Sequence, residues 1–318
     1  MDPYLSIVIP IYNEEENIPA LWERLFKVLT THYDDPAKPW EVIFTDDGSR
    51  DRSLLLLMNI SKAEPRVKVV EFNRNYGQHS AIFAAFAESA GQIIVTMDAD
   101  LQNPPEEIPK LVAKVEEGFD SVGGWRQGRQ DNDSFFRTMP SKIVNAITRR
   151  TTGVKLHDYG CMLRAYGRDV VNAMLLCKER SSFIPALANS FAKRITEVPV
   201  AHAERAAGES KYGLWKLINL QFDLLTSFSL LPLQMLSLFG VITAGVGFLL
   251  FLGLVVYRFM HPEGTAQGVF TLFAILFFFV GCQFVAFGLL GEYIGRIYQE
   301  VRDRPRYMVK KVHQRGQA

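Results

Sequence analysis

Charge is missing from two long stretches of this 318-residue sequence, Pro232 to Tyr257 and Gly264 to Gly291. Cysteine is scarce as well: Cys161, Cys177 and Cys282 are scattered without metal-ligand spacing, which argues against a disulfide framework or a zinc site. There is no Gly-x-x-x-x-Gly-Lys loop and no Gly-x-Gly-x-x-Gly turn, so the usual phosphate-loop and dinucleotide readings fall away. A broad basic excess is lacking too, since the formal net charge is +1, and no nucleic-acid partner is expected. The opening Met1-Asp2-Pro3 leads into no apolar signal run, so the N-terminal part is expected to stay in the cytoplasm.

The two uncharged stretches each exceed the roughly 20 residues needed to cross a bilayer as a helix. They predict a two-helix transmembrane hairpin over 232–295, linked through His261-Pro262. Two buried helices of a soluble core are the competing reading, but such helices rarely lack a charged face over this length. Residues 296–318 carry seven basic side chains against Glu300 and Asp303, a net of +5. That bias predicts a basic cytoplasmic tail, both termini on the cytoplasmic side, and a multi-pass protein. Before the first span, residues 213–231 read as an interfacial amphipathic helix with Trp215 at headgroup depth; a helix packed on the protein core competes with that reading.

The remaining 1–212 alternates between apolar runs and helical spacing. Leu5–Tyr12, Trp40–Thr45, Val67–Phe72 and Gln92–Met97 read as strands, and Ser80–Ala90 and Glu106–Glu117 as helices. Asn13-Glu-Glu-Glu16 reads as an acidic first helical turn. Such alternation predicts an α/β domain with a largely parallel sheet covered on both faces. Ligands of open α/β sheets bind beyond the carboxyl ends of the strands. Here those ends are acidic: Glu14, Asp46-Asp47 and Asp98-Ala99-Asp100. The Asp-x-Asp pair at a strand end suits a hard divalent cation that also bridges nucleotide phosphates. Adjacent Asp46 and Asp47 point apart in an extended chain, which favours Asp46 at the ligand and Asp47 as structural.

Taken together, Ile9-Pro-Ile-Tyr-Asn-Glu14, Asp46-Asp-Gly-Ser49, Asn73-Arg-Asn-Tyr-Gly-Gln-His79, Asp98-Ala-Asp-Leu-Gln102, Asp158-Tyr-Gly-Cys-Met-Leu-Arg164 and Gly208-Glu-Ser-Lys-Tyr212 resemble the polyprenyl-phosphate glycosyltransferases of family 2. The resemblance extends to Gly291-Glu-Tyr-Ile-Gly-Arg296 and Arg304-Pro-Arg-Tyr307. It implies a GT-A (Rossmann-like) catalytic domain, interfacial helices and the membrane hairpin. It further implies inverting transfer of a sugar from a nucleotide diphosphate sugar to polyprenyl (undecaprenyl) phosphate at the cytoplasmic face of a bacterial inner membrane. UDP-glucose is the expected donor, with UDP-4-formamido-arabinose or GDP-mannose as alternatives, and a homo-oligomer, a tetramer, is implied.

By the same resemblance, Pro10, Tyr12, Glu14, Asp46 and Asp98 serve the nucleotide, and Asp98, Asp100 and Gln102 hold Mg2+ or Mn2+. Tyr12 and Glu14 also admit a plainer account as a strand-end aromatic and a helix-start acid. Arg205 and Lys211 resemble a mobile loop over the donor phosphates, or else form a solvated basic pair near anionic lipid. Arg126, Arg137 and Ser141 resemble residues that grip the acceptor phosphate, and Asp158 the proposed base, with Asp100 as its catalytic companion. His157 faces away from Asp158 on an extended segment. A processive polysaccharide synthase would need further spans and usually a Gln-x-x-Arg-Trp segment, which is missing. A catalytically silent membrane scaffold would have no use for the acidic strand ends.

Overall fold

The computed structural model describes residues 3–126, 157–158, 160–177, 183–201, 231–260, 269–302 and 304–314. The chain divides into two units, Met1–Gln221 together with Arg304–Ala318, and Phe222–Asp303.

In the first unit, β1 (Leu5–Ile11), β2 (Trp40–Asp46), β3 (Val67–Phe72) and β4 (Ile93–Thr96) pair in parallel in the order 3-2-1-4. Strands β5 (Ser121–Arg126), β6 (Arg164–Gly167), β7 (Ile195–Val200) and β8 (Val309–His313) extend this to β7-β5-β6-β4-β1-β2-β3-β8. The sheet is therefore mixed rather than largely parallel. β5 ends and β6 begins at the same rim, so no crossover is made between them and β6 runs antiparallel to both β4 and β5.

Both faces are buried, which explains strands that read as continuous apolar runs. Ile7, Ile9, Val42, Val69 and Val95 meet α1 (Ile18–His32), α2 (Ser53–Ala63) and α4 (Ile108–Glu116) on one side. Val8, Ile43, Val70 and Ile94 meet α3 (Gln78–Glu88), α5 (Arg168–Leu176) and α6 (Ile184–Phe191) on the other. The helix expected over 106–117 divides into a 3-10 turn, Pro105–Glu107, and α4. The acidic run Asn13–Glu16 lies ahead of α1 instead of forming its first turn, because its backbone is bound to the next strand-end loop.

Part of the stretch expected as a basic cytoplasmic tail returns to the sheet. β8 pairs antiparallel with β3, and Glu71 of β3 takes Lys310 at 2.5 Å and His313 at 2.8 Å. Tyr307 stacks on Phe72 with ring centroids 5.1 Å apart, and Arg306 lies over the Phe83 ring and donates to the carbonyl of Cys177. The alternation in Val309-Lys-Lys-Val-His313 is strand-like, and pairing covers the edge that β3 would otherwise leave open.

The second unit contains α7 (Leu231–Met260) and α8 (Val269–Val301), which touch one another. Among the described residues one stretch, Phe278–Gly295, is long and apolar enough to cross a membrane, with mean hydropathy 1.4 and 6% of it buried. Large apolar side chains such as Leu238, Leu249, Phe259, Phe278 and Phe284 are exposed along both helices. The hydroxyls of Ser237 and Thr243 bond back to the carbonyls of Leu233 and Gly240 at 2.9 and 3.2 Å, satisfying polar groups inside the helix. The expected interfacial helix lies almost wholly outside the described residues.

Candidate active site

The strand order reverses direction between β1 and β4, and a crevice beyond their carboxyl ends is what such a switch point produces. A cleft there is lined by Pro10, Tyr12, Glu14, Asp47, Asn75, Gly77, Gln78, Asp98 and Asp100, among others.

Its first wall is two loops laced together. Asn13 N–H donates to Ser49 Oγ at 3.0 Å, Arg50 N–H to Asn13 Oδ1 at 2.8 Å, and Asp47 N–H to the Ile11 carbonyl at 2.8 Å. Asn13 takes a left-handed φ of 56°, which its short amide side chain tolerates. The lacing leaves Tyr12 42% exposed, an aromatic face free to stack on a planar ring. One Glu14 oxygen accepts from Asn17 Nδ2 at 2.6 Å. Gly48 has φ 72° and lies so close to the Arg74 backbone that an added Cβ would sit 2.5 Å from its carbonyl carbon. Only glycine fits both conditions.

Asp46 and Asp47 divide differently from the alternation argument. Asp47 lines the cleft, yet both its oxygens are taken by the backbone N–H groups of Tyr76 and Gly77, at 2.6 and 2.8 Å. Asp46 is buried behind the lining; one oxygen accepts from Ser49 N–H at 3.2 Å, and the other has no hydrogen-bond partner. Burial raises the pKa of each. Asp47 thus anchors the Asn73–His79 segment, which brings Asn75 and Gln78 to the site.

The second wall is the end of β4. Asp98 accepts from Gln78 Nε2 at 2.6 Å. Burial, then the Asp100 charge, push the Asp98 pKa up to about 7, with Arg126 pulling it down and Glu14 adding to the rise. Glu14, Asp98, Asp100 and Arg126 therefore share one electrostatic neighbourhood. Asp100 Oδ1 accepts the backbone N–H of Gln102 at 3.1 Å, and Leu101 between them has φ 58°. A left-handed, apolar residue inside an acidic turn is strain of the kind found at working sites. The side chain of Gln102 is outside the cleft lining.

Two converging carboxylates form a hard, all-oxygen donor set, and their mutual repulsion is what a cation would relieve. Among the described residues no group of three or more His, Cys, Asp or Glu gathers to hold a metal. The pair suits Mg2+ or Mn2+ completed by phosphate oxygens of a substrate better than a cation held by protein alone.

A third element enters from β5. Arg126 forks onto Asp158, Nε to Oδ2 at 2.6 Å and Nη2 to Oδ1 at 2.9 Å, with each side chain 11% exposed. Burial pulls the Arg126 pKa down, but the hydrogen bonds and charge of Asp158 outweigh it and the net shift is upward. The expected phosphate-gripping arginine and the expected base are thus one ion pair. His157 is turned elsewhere, stacked on Trp125 at 4.8 Å and bonded to Glu197 at 2.9 Å. Arg137, Ser141, Arg205 and Lys211 lie outside the described residues. Sequence reasoning assigned no role to Asn75, Gln78, Glu197 or Arg164, although three of them stand in motifs it had singled out.

The pattern described as Glycosyl transferase family 2 matches residues 6–175. An undecaprenyl-phosphate 4-deoxy-4-formamido-L-arabinose transferase of Salmonella choleraesuis is 54% identical over 310 residues, covering 97% of this chain and 93% of that protein. The protein of the same name in Pectobacterium carotovorum is 55% identical over 309 residues, covering 96% and 93%. Among solved structures, mannosyl-3-phosphoglycerate synthase from Rubrobacter xylanophilus shares the fold at a TM-score of 0.50 and 12% identity, covering 70% of this chain and 71% of that one. With a GT-A-like α/β fold, acidic strand ends around one cleft and relatives matched along nearly their whole length, the chain belongs to glycosyl transferase family 2 and is a glycosyltransferase.

Proposed function

We propose that this enzyme transfers 4-deoxy-4-formamido-L-arabinose from its UDP derivative to undecaprenyl phosphate, with inversion at the anomeric carbon. The observation that carries the reading is 54% identity along 97% of the chain to transferases of that name. UDP-glucose, expected from the sequence as the donor, gives way to the formamido sugar for the same reason. Pro10, Tyr12 and Glu14, which line the cleft, bind the nucleoside in this reading, with Asp46 supporting them from behind the lining, and Asp98 and Asp100 hold the cation, with Gln102 set outside the lining. Bound Mg2+ or Mn2+ would offset the charge of the departing diphosphate.

An oxygen of the lipid phosphate attacks the anomeric carbon, and the bond from that carbon to the UDP oxygen breaks with its electron pair leaving on the nucleotide. A phosphate is already ionised near neutral pH, so little proton removal is needed. Arg126, with Arg137 and Ser141, orients the phosphate in line. Asp158, fixed on the Arg126 fork, orients the attacking group. Arg205 and Lys211 offset the charge of the donor phosphates in this reading.

We further infer that α7 and α8 form the two-span hairpin of a multi-pass inner-membrane protein, with residues 1–212 as the catalytic domain, 213–231 interfacial, and both termini cytoplasmic. Exposed apolar side chains on both helices and hydroxyls satisfied internally support this reading. The test of function is a panel of UDP-4-formamido-arabinose, UDP-glucose and GDP-mannose offered with undecaprenyl phosphate and Mg2+ or Mn2+. Lipid-linked product is expected from the first alone, and preferential use of either of the others overturns the donor assignment.

A further inference from the structure

Arg164 is fully buried, yet among the described residues no carboxylate forms an ion pair with it, and its Nη1 has no hydrogen-bond partner. An unpaired buried guanidinium is costly, so its retention calls for a purpose. Its other nitrogens reach one segment: Nε donates to the Cys161 carbonyl at 2.9 Å, and Nη2 to the Asp158 carbonyl at 3.0 Å.

The neighbours of Arg164 across the sheet hold the same segment. In register, Thr96 of β4 faces Arg164 of β6, Arg164 faces Gly123 of β5, and Gly123 faces Glu197 of β7. Directly paired residues project to one side of a sheet, so these four form a row on one face. Thr96 Oγ1 donates to the Met162 carbonyl at 2.8 Å. Glu197 accepts the backbone N–H of His157 at 2.7 Å and of Asp158 at 3.1 Å. The carbonyl of Asp158 is thus held by Arg164 and its N–H by Glu197, and its carboxylate is delivered onto Arg126. Gly123 makes room for this arrangement, since an added Cβ would lie 3.1 Å from Arg164 Nη1. Glycine inside a strand otherwise weakens it and often marks a close approach.

We propose that Arg164, at the centre of this row, is a positioning residue for transfer, acting through the backbone of Asp158 to aim the Asp158–Arg126 pair at the acceptor phosphate. The inference rests on the role given to Asp158 above, and the experiment separates the two. Single-turnover transfer with saturating donor and lipid is measured for wild type, Arg164→Gln, Arg164→Lys, Asp158→Asn and the Arg164→Gln/Asp158→Asn double variant, alongside nucleotide-sugar binding. Arg164→Gln is expected to lose about tenfold or more in rate with donor affinity within about twofold of wild type, Lys to recover part of the loss, and the double variant to be no slower than Asp158→Asn alone, as residues acting in one unit behave. Losses that multiply overturn the inference while leaving Asp158 in the mechanism. A wild-type rate for Asp158→Asn removes the reading beneath it, and the inference with it. Should Arg164→Gln not fold, Gly123→Ala, which displaces the guanidinium without removing it, replaces it in the same cycle, and a folded Gly123→Ala at full rate overturns the proposal.

Discussion

Replacing Asp98 by Asn separates what the site costs the fold from what it does for the reaction. Burial and the Asp100 charge oppose ionisation of the Asp98 carboxyl and push its pKa up to about 7 in the folded protein, well above the ordinary aspartate value of about 3.9. A gap of that size corresponds to about 4 kcal/mol. Asp98 keeps some solvent contact, so about 2 kcal/mol is the fairer expectation. A raised carboxyl pKa means that the folded chain holds the proton after the unfolded chain has released it. The contribution of Asp98 to wild-type stability is then most favourable below about pH 4, falls between about 4 and 7, and levels off above. Asn cannot ionise and still accepts a hydrogen bond from Gln78. Asp98→Asn should therefore raise the melting temperature at pH 8 by roughly 4–8 °C, leave it unchanged at pH 4, and abolish cation-dependent binding of the nucleotide sugar. The assay is fluorescence-detected melting of the full chain in detergent across pH, with and without nucleotide and Mn2+. A variant no more stable at pH 8 than at pH 4, relative to wild type, refutes the electrostatic argument; unchanged transfer in excess chelator refutes the metal role.

Three further expectations follow from individual contacts. Arg126→Ala leaves Asp158 buried without its fork and should cost about 3 kcal/mol of stability, whereas Arg126→Lys should fold but transfer at least about tenfold more slowly, since an ammonium cannot fork; urea unfolding and single-turnover rates check both, and a wild-type rate for Lys refutes the need for the fork. Gly48→Ala forces a Cβ into the Arg74 backbone at φ 72° and should destabilise by about 2 kcal/mol or more, where a neutral melting temperature would contradict the close approach. Tyr307→Ala removes the stack on Phe72 and should cost about 1–2 kcal/mol and increase protease cleavage near β8, and unchanged stability and cleavage would mean that the returning strand is not held by this contact.

The sequence by itself determined the α/β alternation, the position of β1 to β4, the acidic character of their carboxyl ends and the motifs that mark the family. These are local properties: apolar runs of strand length and carboxylates at fixed spacing report on their own few residues. What depended on distant partners was legible only after folding. The sheet became mixed because β6 enters from the rim where β5 ends, and Val309–His313 became an edge strand because β3, more than two hundred residues earlier, offered an open edge and Glu71. Strand alternation separated Asp46 from Asp47 but put Asp46 at the ligand, whereas the fold sets Asp47 in the cleft lining, held there by the Tyr76 and Gly77 amides. Arg126 and Asp158, 32 positions apart, were assigned separate tasks until the fold joined them in one ion pair. The row from Thr96 to Glu197 spans four strands, and no periodicity within a single segment encodes a neighbour that sheet register alone supplies.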